Sequence, residues 1–310
     1  MAETSGTMSA VADTDGGTSA GTVGTLDRAE RAVSVLLAVV FGAPLVLCGL
    51  AGATPLLVAV AVVQGAVILA WVVVTDLPGR KGAVLLASCA AAAADIAVSV
   101  WPHSRLGTLL AVLGLSVPAM FVHQLMRGAA RTRIVASLAG TAALVLIVVS
   151  PAALLQLRHE FMDSLGQTPG GTVVAAVAGA AAGGLLIAEL ADLISPAPRF
   201  DPRIPRGLLG VVAATGLGGS VGYLALQAPK RMDFVDGRGV LVGAAVGVLV
   251  GLLGVAAAFA EASVGDLAST QEAVHWPSTA ARRLRPALGI LVPLCIVSPV
   301  ALLLCLAVHA

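Results

Sequence analysis

Residues 239–260 read GVLVGAAVGVLVGLLGVAAAFA and contain no charged side chain. A helix of about twenty apolar residues can cross the hydrocarbon core of a bilayer, so this stretch predicts a transmembrane helix. The whole chain has the same character: 58% of its 310 residues are hydrophobic, 11% are charged, and the mean hydropathy is +0.99. Soluble domains carry roughly a quarter charged residues. The sequence therefore predicts an all-α, polytopic integral membrane protein.

Runs of similar length recur along the chain and predict about nine transmembrane helices. Their ranges are 32–51, 54–75, 82–100, 107–126, 134–156, 171–195, 207–227, 239–260 and 287–308. Only AGAT separates the first two, which predicts a tight hairpin. Residues 1–28 are rich in Gly, Ser, Thr and Ala, so we expect a disordered tail before a helical membrane domain at 29–310.

The basic residues predict the orientation of these helices. With the N-terminus in the cytoplasm, thirteen of the 18 lysines and arginines fall in inner segments and five in outer ones. Because inner loops are enriched in basic residues, this bias places the N-terminus inside. Only Lys81 and Lys230 are lysines, and the chain is rich in Ala, Val and Gly. This composition is typical of a GC-rich bacterial genome, so we expect a multi-pass protein of the bacterial plasma membrane.

Glycine is frequent in the sixth to eighth predicted spans, for example in AGAAAGG and GLGGSVG. Small residues let helix backbones approach closely within lipid, so these spans are expected to form the tightly packed centre. A GC-rich genome also raises the glycine and alanine content by itself. The four cysteines all lie inside apolar runs and are expected to be small buried hydrophobic residues.

Two acidic pairs lie at helix ends on the predicted cytoplasmic side. Glu189 and Asp192 are three residues apart and share a helix face, and the loop after them holds Arg199, Arg203 and Arg206. These groups could bind a metal ion and a phosphate, or the acids could simply pair with the arginines.

Glu261 and Asp266 form the second pair, at the end of the eighth span. They are five residues apart, about 140° around a helix, so they diverge unless the helix breaks at Gly265. Asp266 after that glycine could bind a metal, or both acids could be solvated at a helix end.

Three polar residues lie within predicted spans. Asp95 could pair with Arg105 or with a polar residue of a neighbouring helix, and Gln64 and His123 are expected to make hydrogen bonds between helices. The sequence contains no nucleotide-binding glycine loop, zinc-protease motif or nucleophile elbow. The net charge of +1 points to no nucleic-acid partner.

The order of features over residues 107–310 resembles the phosphatidate cytidylyltransferases, membrane enzymes that make CDP-diacylglycerol from CTP and phosphatidate. Four segments carry the resemblance: RIVASLAGTAALVLIVVSPAALLQLR at 133–158, AELADLISPAPRFDPRIPRGLLG at 188–210, EASVGDLAST at 261–270 and LGILVPLCIVSPVALLLCL at 288–306. EASVGDLAST is similar to the Gly-Asp-Leu helix end of that family.

The resemblance implies a magnesium site and a phosphate-contacting loop. Asp266 matches the acid of the Gly-Asp-Leu helix end, and Asp192 matches the acid of the earlier helix, with Glu189 and Glu261 as further metal candidates. The phosphate-contacting positions would be Arg203 and Arg206. Metal is needed in such a reaction because a phosphomonoester must approach a triphosphate.

The family's later signature of acids and glycines is missing, because no aspartate follows Asp266 and only His275 stands in that segment. We therefore expect a catalytically degenerate relative that acts as a lipid- or partner-binding membrane component. One alternative is an active CTP-dependent cytidylyltransferase with a reduced, Mg²⁺-binding site. Another is a small-solute transporter. Expected partners are the bilayer, phospholipid headgroups or CTP, and either a second copy of the chain or another membrane protein.

Overall fold

A computed structural model describes residues 16–75, 79–102, 106–128, 133–161, 169–195, 198–201, 204, 206–227, 237–270 and 279–309. For residues 16–28, Pro169, 226–227, 261–270, Arg282 and His309 it describes the backbone alone. The helices are α1 Gly16–Ala51, α2 Ala53–Thr75, α3 Arg80–Val100, α4 Gly107–Met126, α5 Ile134–Val149, α6 Ala152–Glu160, α7 Pro169–Ile194, α8 Leu208–Gly222, α9 Arg238–Thr270 and α10 Thr279–His309. A π-helical turn, Tyr223–Gln227, continues α8.

Within these described ranges, nine helical segments are long and apolar enough to cross a membrane, which confirms the predicted all-α architecture. Helices α5 and α6 together form one of the nine. The break between them falls at Ser150 and Pro151, where proline has no backbone N–H to continue the α-helical pattern. The fifth segment runs on to Glu160, four residues beyond its predicted end at 156, and it thereby takes Arg158 into the helix.

The first two spans form the predicted hairpin. Gly52 alone separates α1 from α2, and its φ of 154° favours glycine. Helix α1 begins at Gly16, so its first turns run through part of the segment expected to be a disordered tail. Its membrane-length apolar portion begins only at Ala29. Residues 1–15 lie outside the described residues.

Contacts between helix ends agree with nine alternating passes. These contacts join Arg206 to Glu189, Arg127 to Gly79, Arg158 to Gly49 and Arg238 to Val308. In each pair, alternation brings both residues to the same membrane surface. The first two pairs lie at the surface predicted to be cytoplasmic, and the other two lie at the opposite surface. The alternation is thus supported, while the absolute orientation stays a prediction.

Helix α7 lies at the centre of the bundle and packs against α1, α6, α8, α9 and α10. Helices α8 and α9 approach so closely that a Cβ at Gly218 would collide with the carbonyl oxygen of Gly243, and one at Gly222 with that of Gly239. The predicted close packing of these spans through glycine is therefore present. Their outer faces, with Val212 and Leu241 exposed, would contact lipid.

Candidate functional site

The predicted acidic pair lies buried at the C-terminal end of α7. Glu189 and Asp192 are each only 3% exposed. Their three-residue spacing on a continuous helix puts both carboxylates on one face, as the sequence predicted. Two buried acids at this position require donors, because an unpaired charge in such surroundings is costly.

The loop after α7 supplies those donors by folding back over the helix end. Arg199 and Gly207 form an antiparallel bridge, and the Leu208 N–H donates to the Pro198 carbonyl at 2.9 Å. Ile204 is 1% exposed, so its side chain anchors the loop in the protein interior. This path returns the chain to the acids just before α8 begins.

Arg206 bridges both carboxylates. Its Nη2 donates to Glu189 Oε1, and its Nη1 lies 3.9 Å from Asp192 Oδ2. The Gly207 N–H donates to Asp192 Oδ1 at 3.0 Å. Across the interface, Gly254 of α9 leaves room for the guanidinium, since a Cβ there would lie 3.2 Å from Nη1. We call Glu189, Asp192, Arg206 and the Gly207 N–H the inner latch.

A second arginine, on the first transmembrane helix, adds positive charge near one of these acids, Asp192. The Arg31 guanidinium of α1 is close enough to Asp192 to interact with its charge. No local sequence pattern predicts this interaction, because Arg31 lies far from Asp192 in the chain. The arrangement ties α1, α7 and the loop before α8 together by charge.

The side chains of the other predicted site residues lie outside the described part of the chain. Arg203 lies beyond the described residues, and the side chains of Glu261 and Asp266 are not among those described. The backbone of α9 is helical from Arg238 to Thr270, so it is continuous through Gly265. The break that would turn Glu261 and Asp266 in one direction is therefore not present.

Three of the four carboxylate oxygens of Glu189 and Asp192 already have partners within the protein. Carboxylate oxygens are the ligands that Mg²⁺ prefers, yet those of Glu189 and Asp192 face the Arg206 guanidinium and a backbone N–H. A metal ion there would have to displace Arg206. Among the described side chains, no group of three or more His, Cys, Asp or Glu residues converges. A magnesium site that includes Asp266 stays a prediction.

Asp95 has a polar partner in a neighbouring helix, one of the two alternatives that the sequence left open. Gln64 of α2 donates from Nε2 to Asp95 Oδ1 of α3 at 3.1 Å, and both side chains are buried. Arg105, the other alternative, lies outside the described residues. A hydrogen bond between two buried groups in the middle of the bundle fits a role in fixing how α2 and α3 pack.

Basic residues gather where α3 and α5 begin and α4 ends, at the predicted cytoplasmic surface. This basic rim consists of Arg80, Lys81, Arg127 and Arg133. Arg127 Nη1 donates to Gln124 Oε1 at 3.0 Å and to Ser137 Oγ at 3.2 Å, which joins α4 to α5. Arg80, Lys81 and Arg133 are exposed. The rim therefore combines a fixed guanidinium with solvent-accessible charge at a membrane boundary.

Comparisons with known protein families, with curated proteins and with solved structures found no match for this chain. The resemblance to phosphatidate cytidylyltransferases thus stays a prediction from the order of sequence features.

Proposed function

We propose that this chain is a membrane component that binds anionic phospholipid and does not transfer nucleotides. The observation that carries the proposal is the inner latch, in which Glu189 and Asp192 are bound by Arg206 and by a backbone N–H. These two acids belong to the metal set that the resemblance implies. In this arrangement they hold the protein together.

Nucleotidyl transfer onto a phosphomonoester needs acids that can bind metal. Both reactants are anionic, and the metal ion lowers their repulsion in the transition state. An arginine that neutralises the acids competes with the metal for the same oxygens. A metal ion would have to displace the Arg206 guanidinium from these oxygens, so the latch competes with metal entry.

The basic rim supports the lipid-binding part of the proposal. Each Lys or Arg close to a membrane surface contributes about 1 kcal/mol of attraction to anionic lipid. Four such residues gather on the ends of three adjacent helices, and three of them are exposed. Their position at the helix ends matches the depth of lipid headgroups. Phosphatidylglycerol is therefore a suitable probe.

The enzymatic alternative can be tested directly. Full-length protein in lipid nanodiscs would be supplied with CTP, phosphatidate and Mg²⁺, and CDP-lipid formation would be measured. We expect none above the empty-nanodisc background. Magnesium-dependent product that disappears in Asp266→Asn would overturn the proposal and establish the active-enzyme alternative.

Lipid binding can be tested by native mass spectrometry of the purified chain with mixed phosphatidylglycerol and phosphatidylcholine. We expect phosphatidylglycerol to be retained preferentially, and retention to fall severalfold in the double variant Lys81→Gln, Arg133→Gln. Arg199→Gln is the matched control, because Arg199 is an exposed arginine at the same predicted surface but outside the rim. Equal retention of both lipids, or an equal loss in the control, would contradict the proposal.

A further inference from the structure

Arg158 is a buried cation at the membrane surface opposite the inner latch. It lies in the last turn of α6 and is only 6% exposed. Its Nη1 donates to the carbonyl oxygen of Gly49, near the end of α1. Its Nε is buried and has no hydrogen-bond partner among the described residues. A charged donor this deeply buried requires an acceptor.

The guanidinium of Arg158 packs against the first turn of α7. A Cβ at Gly171 would lie 2.8 Å from Arg158 Nη1 and 2.9 Å from the Gly49 carbonyl oxygen. A Cβ at Gly170 would collide with the Arg158 carbonyl oxygen. Two consecutive glycines thus let the start of α7 come directly against the arginine.

Positive charge and hydrogen-bond donors converge at this point. Helix α7 has 26 residues, and the N–H groups of its first turn, including those of Gly170 and Gly171, have no partners within the helix. The helix dipole adds partial positive charge at the same end. The Arg158 guanidinium adds a full positive charge beside it. Donors that face one another in this way are stabilised when an anion lies among them.

The nearest carboxylate of α6 does not neutralise Arg158. Glu160 accepts a hydrogen bond from Gln156 Nε2 at 3.2 Å, and the same amide also donates to the Pro102 carbonyl. Within the described part of the chain, no salt bridge to Arg158 is present. The hydrogen bond to the Gly49 carbonyl, the one that Arg158 makes to another described residue, leaves the charge only partly compensated.

We propose that Arg158 and the N-terminal turn of α7 form a binding site for a phosphate group. A guanidinium suits the tetrahedral phosphate oxygens because its N–H groups can donate in a fork. Gly170 and Gly171 are buried and add no side chain beside these backbone N–H groups. The site lies where α1 and α6 end and α7 begins, at headgroup depth, so both a phospholipid and free phosphate can supply the group. This inference does not depend on the basic rim.

The test compares thermal unfolding of delipidated, full-length protein in sodium phosphate and in sodium chloride at matched ionic strength. We expect phosphate to raise the Tm of the wild type by about 3 °C more than chloride does. Arg158→Lys keeps the positive charge but loses the forked pair of N–H donors. It should therefore raise the half-saturating phosphate concentration about tenfold. Arg158→Gln should remove the response. The lysine variant keeps the test informative if the glutamine variant fails to fold.

Arg238→Gln is the matched control. Arg238 also donates to a carbonyl at a helix end, that of Val308, and it lies at the same membrane surface, but it is exposed. Its variant should respond to phosphate as the wild type does. Loss of the response in this control would mean that general surface charge causes the effect, which would overturn the proposal.

Native mass spectrometry with phosphatidylglycerol separates the two sources of phosphate. Retention of the lipid that falls in Arg158→Lys would assign the site to a headgroup. A phosphate-dependent Tm without such retention would assign it to free phosphate. If the wild type gives equal Tm values in both salts and lipid retention is unchanged in Arg158→Lys, the helix-end carbonyls satisfy Arg158 and the proposal is wrong.

Discussion

Opposite charges lie at the two ends of α7, and each has the same sign as the helix dipole at that end. Acids lie at its C-terminal end, where the dipole is negative, and Arg158 lies against its N-terminal turn, where the dipole is positive. At the C-terminal end, Arg206, Arg31 and a backbone N–H provide the compensation. At the N-terminal end, the Gly49 carbonyl oxygen accepts a hydrogen bond from Arg158.

This difference separates a structural ion pair from a ligand site. A buried charge whose partners are built into the chain is stabilised permanently and holds helices together. A buried charge with incomplete compensation is stabilised further by something that binds. The same helix therefore has a closed end at Glu189 and Asp192 and, on our proposal, an end at Arg158 that accepts an anion.

The largest effect is expected from Arg206→Gln. Because this change leaves two buried carboxylates with fewer donors, it should cost about 3–5 kcal/mol and lower the Tm by about 5–10 °C in thermal unfolding. Adding Glu189→Gln should restore part of the loss, since it removes one of the uncompensated charges. Arg199→Gln, in the same loop but exposed, should change the Tm by less than about 1 °C. If Arg206→Gln unfolds at the wild-type Tm, the inner latch contributes little to the stability of the protein.

A smaller effect is expected from Arg158→Gln in phosphate-free detergent. This change removes one hydrogen bond to a carbonyl and leaves no carboxylate behind, so the cost should be about 1–3 kcal/mol. The Tm should therefore fall by less than it does in Arg206→Gln under the same conditions. Equal losses at the two ends would contradict the asymmetry that we describe.

Two glycines allow the ends to be compared without changing any charge. Gly171→Ala would force the Arg158 guanidinium off the Gly49 carbonyl, and backbone atoms there cannot yield, so we expect a loss of about 1–2 kcal/mol. Gly254→Ala meets only the Arg206 side chain, at 3.2 Å from Nη1, so a small shift of the guanidinium suffices and the cost should be less than about 1 kcal/mol. Chemical or thermal denaturation of the two variants side by side would check the order.

The smallest effect is expected away from both ends, at Asp95→Asn. An asparagine oxygen can still accept from Gln64, so the hydrogen bond between α2 and α3 is retained. The Tm should change by less than about 2 °C. Gln64→Leu, which leaves Asp95 buried without this donor, should be clearly more destabilising. The reverse order would mean that the charge of Asp95, and not its hydrogen bond, is what the bundle requires.

The sequence predicted the membrane helices well because bilayer thickness fixes their length and lipid fixes their composition. Even the third span, which contains Asp95, forms a complete helix, since Gln64 satisfies the carboxylate. The ends of the spans were less predictable. Arg158 was assigned to an outer loop, but α6 continues to Glu160 and buries it.

The inner latch could be predicted only in part. The three-residue spacing correctly placed Glu189 and Asp192 on one face, and pairing with loop arginines was one of the two alternatives considered. Which arginine would pair depended on the path of the loop, which the Arg199–Gly207 bridge determines. The contribution of Arg31 depends on how α1 packs against α7, and no local pattern records that packing.

The most direct test of the central claim is thermal unfolding of the wild type and of Glu189→Gln, each with and without millimolar Mg²⁺ at matched ionic strength. If Glu189 and Asp192 belong to a closed ion pair, Mg²⁺ should leave the wild-type Tm unchanged, and Glu189→Gln should lower it equally in both conditions. A Tm that rises with Mg²⁺ in the wild type, with the rise lost in Glu189→Gln, would contradict the account and show that the end of α7 is a metal site.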